Sequence, residues 1–149
     1  ECSGHTGITG GQELDLKYEK KRKKFKEIIN MQRKKTGKLF KFCCLSAGIV
    51  SNKNTRVKKE LGLLGEEIGL LFQLADDFID ITSSTKLAGK TINKDKNKGK
   101  STILGLIGYK KAYNFSKKLK KNILKKLSKY GRKANDLINT VEFILGRNF

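Results

Sequence analysis

The chain has 149 residues, which predicts one domain spanning 1–149, and no run in it approaches the ~20 apolar residues of a membrane-spanning helix. Its 34 basic residues against 14 acidic ones give a net charge of +20. Most of the basic residues are lysines spread along the chain, whereas nucleic-acid recognition favours arginine. We therefore expect no nucleic-acid partner. Three cysteines, two of them adjacent, predict neither a disulfide framework nor a zinc site, and indicate a reducing, cytoplasmic location.

The chain contains no proline, and its apolar residues recur at the three- and four-residue spacing of helices, which predicts an all-α fold. In chain order, helical patterns are predicted at 1–11, Phe25 to Met31, Leu39 to Ile49, Arg56 to Ile81, Ala112 to Leu127, and Ala134 to Leu145. Breaks are predicted at 51–54, 82–100 and 130–131. Because residue 1 is Glu and the single methionine lies inside a predicted helix, we expect a piece of a longer protein.

Three carboxylates stand close together near the end of the longest predicted helix, at Asp76, Asp77 and Asp80. Helical geometry predicts that all three project to one side, with Gln73 one turn earlier. Such a cluster is unfavourable by itself because like charges repel, and a divalent cation would offset that cost. Oxygen ligands of this kind suit Mg²⁺. The alternative is an acidic helix end in solvent, paired with nearby lysines, but the apolar neighbours of the cluster favour a buried, cavity-lining helix.

Four motifs follow one another along the chain. They are Gly10-Gly11-Gln12-Glu13-Leu14-Asp15-Leu16, Lys35-Thr36-Gly37, Phe72-Gln73 with Asp76-Asp77-Phe78-Ile79-Asp80, and Gly89-Lys90 with Asp95 and Gly99-Lys100-Ser101-Thr102. Their order and spacing resemble the GGQxxDL, KTG, FQxxDDxxD and GKxxxxD…GKST segments of the short-chain trans-prenyl diphosphate synthases, the farnesyl and geranylgeranyl diphosphate synthase family. Within that family, the motifs resemble those of the bacterial geranyltranstransferase branch.

The resemblance implies an isoprenoid-synthase fold with long helices around a central cavity, and a Mg²⁺-dependent condensation of an allylic diphosphate with isopentenyl diphosphate to a short-chain isoprenyl diphosphate. For the metal, the resemblance implies Asp76 as a magnesium ligand supported by Asp77 and Asp80. It implies Lys35 and Lys90 as catalytic lysines that bind the diphosphate, with Lys100 in the same basic loop. It also implies Thr36 and Gln73 as polar groups beside the reacting carbon, and Gln73 as a residue that contacts the substrate. A charge of +20 would attract such diphosphates.

The family's first aspartate-rich motif and its arginines have no counterpart in the chain, which resembles only the C-terminal half of a synthase. Ile103 and Leu104 stand where Tyr and Pro are common. We therefore expect the chain to supply the second aspartate-rich motif of a prenyl diphosphate synthase, to be inactive alone, and to form a homodimer or associate with the missing N-terminal half. A non-catalytic partner or regulatory half-subunit of a prenyl synthase is the alternative.

Overall fold

Seven α-helices make up the part of the chain that the computed structural model describes, residues 1–87 and 102–147, with side chains described at 1–82 and 102–147. In chain order they are α1 (Ile8–Tyr18), α2 (Phe25–Gln32), α3 (Lys38–Val50), α4 (Thr55–Leu87), α5 (Ile103–Ile107), α6 (Tyr109–Leu127) and α7 (Asn135–Gly146). The described ranges contain no β-strand. The prediction of an all-α fold is therefore confirmed.

Two irregular helical turns join neighbouring helices. A π-helical turn at Arg33–Gly37 connects α2 to α3, and a 3-10 turn at Ser128–Ala134 connects α6 to α7. Gly131 has a φ of 58° inside the second turn, a conformation that glycine adopts without a steric penalty. The predicted break at 130–131 lies at this kink and is confirmed.

Two predicted boundaries were wrong. Residues 1–7 form turns, closed for example by the bond from the Gly7 amide to the Gly4 carbonyl, and α1 begins only at Ile8. At the other boundary α4 continues through 82–87 and reaches 33 residues. There the apolar periodicity ends but the helix does not, and the Thr82 hydroxyl donates to the carbonyls of Phe78 and Ile79 within it. The remainder of the predicted break, 88–100, lies outside the described residues.

The helix α4 lies at the centre of the fold and is buried on two sides. Leu64, Ile68 and Leu71 pack with apolar residues of α6 and α7. Leu74 and Phe78, both fully buried, belong to a second cluster with residues of α2, α5 and α6. The acidic positions near residue 77 therefore lie on a helix whose neighbouring turns are firmly packed.

Within the described residues, none of the helices combines the length and the apolarity that crossing a membrane requires.

Glycines bring α4 into direct backbone contact with the segment that precedes it. A Cβ at Gly65 would meet the carbonyl group of Phe40, and a Cβ at Gly69 would lie 2.7 Å from the Cα of Gly37. Only the missing side chain permits such an approach. This contact fixes the π turn against α4, and thereby fixes the relative positions of two of the sequence motifs.

Candidate active site

A small cleft of about 70 Å³ lies where α1, the π turn, α4 and the start of α5 meet. Its walls are formed by Asp15, Met31, Gln32, Lys35, Gln73, Asp77, Asp80 and Thr102. Four of the residues predicted from the sequence, Lys35, Gln73, Asp77 and Asp80, therefore come together in one place. Lys90 and Lys100 lie outside the described residues.

Asp77 is the most buried carboxylate of the cleft, with 8% of its surface exposed. Its Oδ1 accepts a hydrogen bond from Nε2 of Gln73 at 3.0 Å, and its Oδ2 accepts one from Nε2 of Gln32 at 3.2 Å. Burial raises the pKa of Asp77 to about 6 and outweighs these two bonds, which lower it, while the charges of Asp80 and Asp76 raise it further. A cation beside Asp77 would favour the ionised carboxylate.

A chain of two hydrogen bonds orients the Gln73 side chain. The Thr36 hydroxyl donates to Oε1 of Gln73 at 2.8 Å, which leaves the amide nitrogen to donate to Asp77. The oxygen of Gln73 is therefore already engaged by Thr36, and the amide orientation is set by partners at both ends. Together these bonds link the π turn to the acidic part of α4.

Lys35 is paired across the cleft with Asp15 of α1, and their charged atoms lie 2.5 Å apart. Both side chains are about one-third exposed. The pairing depends on Gly11, because a Cβ there would lie only 2.5 Å from the Cα of Lys35. The helix α1 thus packs directly on the π turn and holds a carboxylate against its lysine.

Asp76 has a partner of its own and is not among the residues that line the cleft. Its Oδ1 accepts a hydrogen bond from Arg147, just beyond α7, at 3.1 Å. The guanidinium of Arg147 also lies 5.0 Å from the centre of the Phe72 ring, a cation–π contact. Asp77 and Asp80 line the cleft, so two of the three carboxylates share the expected side. The third, Asp76, is paired with Arg147 and does not line the cleft.

The described residues contain no group of three or more His, Cys, Asp or Glu side chains arranged to hold a metal ion. The cleft nevertheless presents the carboxylates of Asp77 and Asp80, and the side-chain oxygen of Gln32 is buried there without a hydrogen-bond partner. Oxygen donors that leave room for water suit Mg²⁺, which keeps several of its own waters when bound to proteins. The donor chemistry of the cleft therefore fits a hydrated magnesium ion.

Sequence reasoning missed three residues that shape this site. Asp15 belongs to a recognised motif but was assigned no role. Gln32 had a signal, since it is a polar residue at the buried end of an otherwise apolar helix face, next to Met31. Arg147 loosely resembles the basic C-terminal ending of the family, but its pairing with Asp76 had no signal, because it joins positions 71 residues apart.

Residues 4–141 of the chain match the profile of the polyprenyl synthetase family. The chain belongs to this family. It is 37% identical over 107 residues to the farnesyl diphosphate synthase of Micrococcus luteus, which covers 72% of the chain and 37% of that protein. It is 33% identical to the farnesyl diphosphate synthase of Escherichia coli, over 99% of the chain and 50% of that protein.

Solved structures of polyprenyl synthetase relatives have the same fold. An FPP/GFPP synthase from Zymomonas mobilis matches with a TM-score of 0.79 and 32% identity, over 96% of this chain and 47% of that one. A geranyltransferase from Helicobacter pylori, solved with magnesium and isoprenyl diphosphate, matches with a TM-score of 0.77 and 27% identity, over 97% of this chain and 48% of that one. The isoprenoid-synthase fold is thereby confirmed, and the chain spans half or less of the length of these relatives.

Proposed function

We propose that the chain supplies the second aspartate-rich site of a Mg²⁺-dependent prenyl diphosphate synthase that condenses an allylic diphosphate with isopentenyl diphosphate in the cytoplasm. The observation that carries the proposal is the cleft in which Lys35, Asp77 and Asp80 meet. Membership of the polyprenyl synthetase family and the names of its relatives support prenyl transfer as the reaction. The chain would act as one half of the synthase domain.

In this proposal Asp77 and Asp80 hold the metal, and Asp76 joins them once its contact with Arg147 is exchanged for the ion. When bound, magnesium supplies positive charge to the departing diphosphate. Two hydrogen-bond donors, Gln73 and Gln32, fix the carboxylate plane of Asp77, so that its oxygens need little reorganisation when the ion binds.

Lys35 would bind the same diphosphate and stabilise its developing charge. In the structure this lysine is paired with Asp15, so diphosphate binding requires Lys35 to exchange that partner. From the motif alone we assign Lys90 and Lys100 to the same anion. Thr36 and Gln73 are proposed to border the reacting carbon, and their mutual hydrogen bond gives them a fixed orientation there.

Replacing Asp80 with Asn in the intact protein that contains this chain tests the proposal. Asp80 is exposed at the cleft, so the change should leave the unfolding temperature nearly unaltered. We expect the rate of Mg²⁺-dependent condensation to fall by about 100-fold or more, because charge stabilisation at the leaving group is lost. Glu60→Gln, an exposed substitution on the same helix α4, is the matched control. Undiminished turnover in Asp80→Asn would contradict the proposed role of the site.

The exposed face of α3 indicates where the rest of the synthase fold packs. Leu39, Phe42, Ile49 and Val50 are each at least half exposed, and apolar residues in such a contiguous arrangement mark an interaction surface. Since the chain spans half or less of its relatives' length, we propose that this face packs against the remaining half of the domain. A second copy of the complete protein would then form the homodimer.

Phe42→Ser tests whether the exposed face of α3 is covered by the remaining half of the domain in the intact protein. In the chain alone Phe42 is 56% exposed, and its replacement should change the free energy of unfolding by less than about 0.5 kcal/mol. In the intact protein the same change should cost about 3 kcal/mol, because a packed phenylalanine is removed. Urea denaturation of both forms provides the comparison, with Lys53→Ser, an exposed polar substitution just after α3, as the control. Equal effects in the two forms would show that the face stays uncovered.

The alternative function, a non-catalytic partner of a complete prenyl synthase, is favoured by that same exposed face. It predicts that the intact protein has no turnover of its own and raises the activity or the thermal stability of a complete synthase added to it. Turnover by the intact protein that depends on Asp80 would exclude it.

A further inference from the structure

Gln32 is a buried side chain whose amide nitrogen is hydrogen-bonded and whose amide oxygen is not. It is only 2% exposed, and its Nε2 donates to Oδ2 of Asp77. Its Oε1 has no hydrogen-bond partner. Leaving a buried acceptor without a donor costs free energy, so this oxygen needs an explanation.

The orientation of the Gln32 amide is set by Asp77. If the amide were turned over, its oxygen would face the carboxylate oxygen of Asp77, and two acceptors would lie against each other. The Oε1 atom must therefore point away from Asp77, on a residue that itself lines the cleft. The unused acceptor is therefore a buried atom of a residue that lines the cleft, on the side of the amide turned away from Asp77.

The cleft around this oxygen contains more acceptors than donors. Its walls include the carboxylates of Asp15, Asp77 and Asp80. Among the lining residues that the structure describes, Lys35 is the one cation, and it is already paired with Asp15. A site of this composition suits a ligand that combines positive charge with hydrogen-bond donors. A divalent cation with its waters is such a ligand, since the ion polarises the O–H bonds of the waters that it holds.

We propose that Gln32 is a positioning residue of the cation site, holding Asp77 through its amide nitrogen and accepting a hydrogen bond from a cation-bound water through its oxygen. The inference rests on the proposed function and adds to it a residue from α2, outside every motif that the sequence resemblance identifies. It also explains why a glutamine is buried at the point where α2 enters the π turn.

A titration of the intact protein with Mn²⁺ tests the role of Gln32 without any turnover. The electron paramagnetic resonance signal of the free ion measures how much Mn²⁺ stays unbound. Gln32→Met keeps the size of the side chain and removes both the donor and the acceptor. We expect Mn²⁺ to bind about tenfold more weakly to this variant, the effect typical of groups that orient metal ligands. Ile28→Val, a conservative change one turn earlier in the buried face of α2, should leave the affinity unchanged.

Gln32→Glu distinguishes two roles of residue 32, namely contact with the cation through its bound water and support of the Asp77 side chain alone. A carboxylate at position 32 adds an anionic oxygen beside the ion, so Mn²⁺ should bind at least about threefold more tightly. If Gln32 only held Asp77 in place, losing the donated hydrogen bond would weaken binding in this variant too. The glutamate variant also decides the question if Gln32→Met does not fold.

Parent-like affinity in Gln32→Met, or unchanged or weaker affinity in Gln32→Glu, would overturn the inference while leaving the proposed function intact. Failure of the proposed function gives a different pattern. In that case the parent protein binds no Mn²⁺, or its binding is unaffected by Asp77→Asn and Asp80→Asn, and the assignment of Gln32 falls together with the cation site.

Discussion

Asparagine in place of Asp77 is expected to stabilise the metal-free protein at pH 7.5 by about 2–3 kcal/mol. Burial raises the pKa of the Asp77 carboxyl from 3.8 to about 6, and each pKa unit corresponds to about 1.4 kcal/mol. A raised carboxyl pKa disfavours the folded state once the group ionises. An amide carries no charge to desolvate, and Gln32 can turn its own amide over to accept a hydrogen bond from it.

Because the pKa of Asp77 is higher in the folded state than in the unfolded state, its ionisation destabilises the protein over a defined pH range. Well below the unfolded pKa of 3.8 the carboxyl is protonated in both the folded and the unfolded chain, and the burial penalty is absent. As pH rises from 4 through 6, the unfolded state releases its proton first and the parent protein loses stability. Urea denaturation in the presence of a chelator should therefore show that the free energy of unfolding of the parent declines over this range relative to that of Asp77→Asn.

A matched change elsewhere on α4 makes the comparison specific. Glu60→Gln removes a carboxylate from an exposed position, and it should leave the decline between pH 4 and 6 in place. The Asp77 variant should also lose divalent-cation binding, because the group that destabilises the fold is proposed to hold the ion. A less stable Asp77→Asn protein at pH 7.5 would contradict the account of a carboxylate strained by burial.

The second large effect is expected from an alanine at Gly65. Its Cβ would lie 2.7 Å from the carbonyl carbon of Phe40 and 2.8 Å from the Cα of Lys41, and these are backbone atoms that cannot move aside alone. The helices α3 and α4 would have to separate, at a cost of about 3 kcal/mol. Because the π turn is fixed against the same face of α4, the cleft should open as well.

Gly62 provides an internal control for this prediction, because it lies on the same helix less than one turn earlier. A Cβ at Gly62 would lie 3.5 Å from Cε of Lys41, an ordinary contact with a flexible side chain. Gly62→Ala should therefore stabilise the protein by about 0.5–1 kcal/mol through helix propensity. Thermal and urea unfolding of the two variants should give shifts of opposite sign. An unchanged or more stable Gly65→Ala protein would show that the helix crossing tolerates a methyl group.

The helices were largely predictable because each buries one face, which spaces its apolar residues regularly. The patterns at Phe25 to Met31 and Leu39 to Ile49 correspond closely to α2 and α3. The end of α4 was not predictable in this way, since a helix can continue after its apolar stripe ends. The π turn was equally hidden, because one added residue changes the backbone but leaves a short polar segment that looks like any other.

The candidate site was predictable as a set of motifs but not as a set of contacts. Lys35, Gln73, Asp77 and Asp80 share a cleft although they come from separate parts of the chain. The partners of the motif residues depend on tertiary packing: Asp76 is paired with Arg147, and Lys35 is paired with Asp15. No local pattern encodes such pairings, because they arise only when distant helices meet.

The π turn at Arg33–Gly37 makes the geometry of the candidate site depend on a single extra residue. A π turn contains one residue more than the regular helix around it, and each residue of an α-helix turns the chain by about 100°. Loss of one codon in this segment would let α2 and α3 merge into one continuous rod that still hydrogen-bonds along its whole length. It would also swing Gln32 and Lys35 apart from each other around the helix axis. The loss of one residue here should therefore remove the cleft, because Lys35 and Gln32 would no longer face Asp15 and Asp77 together.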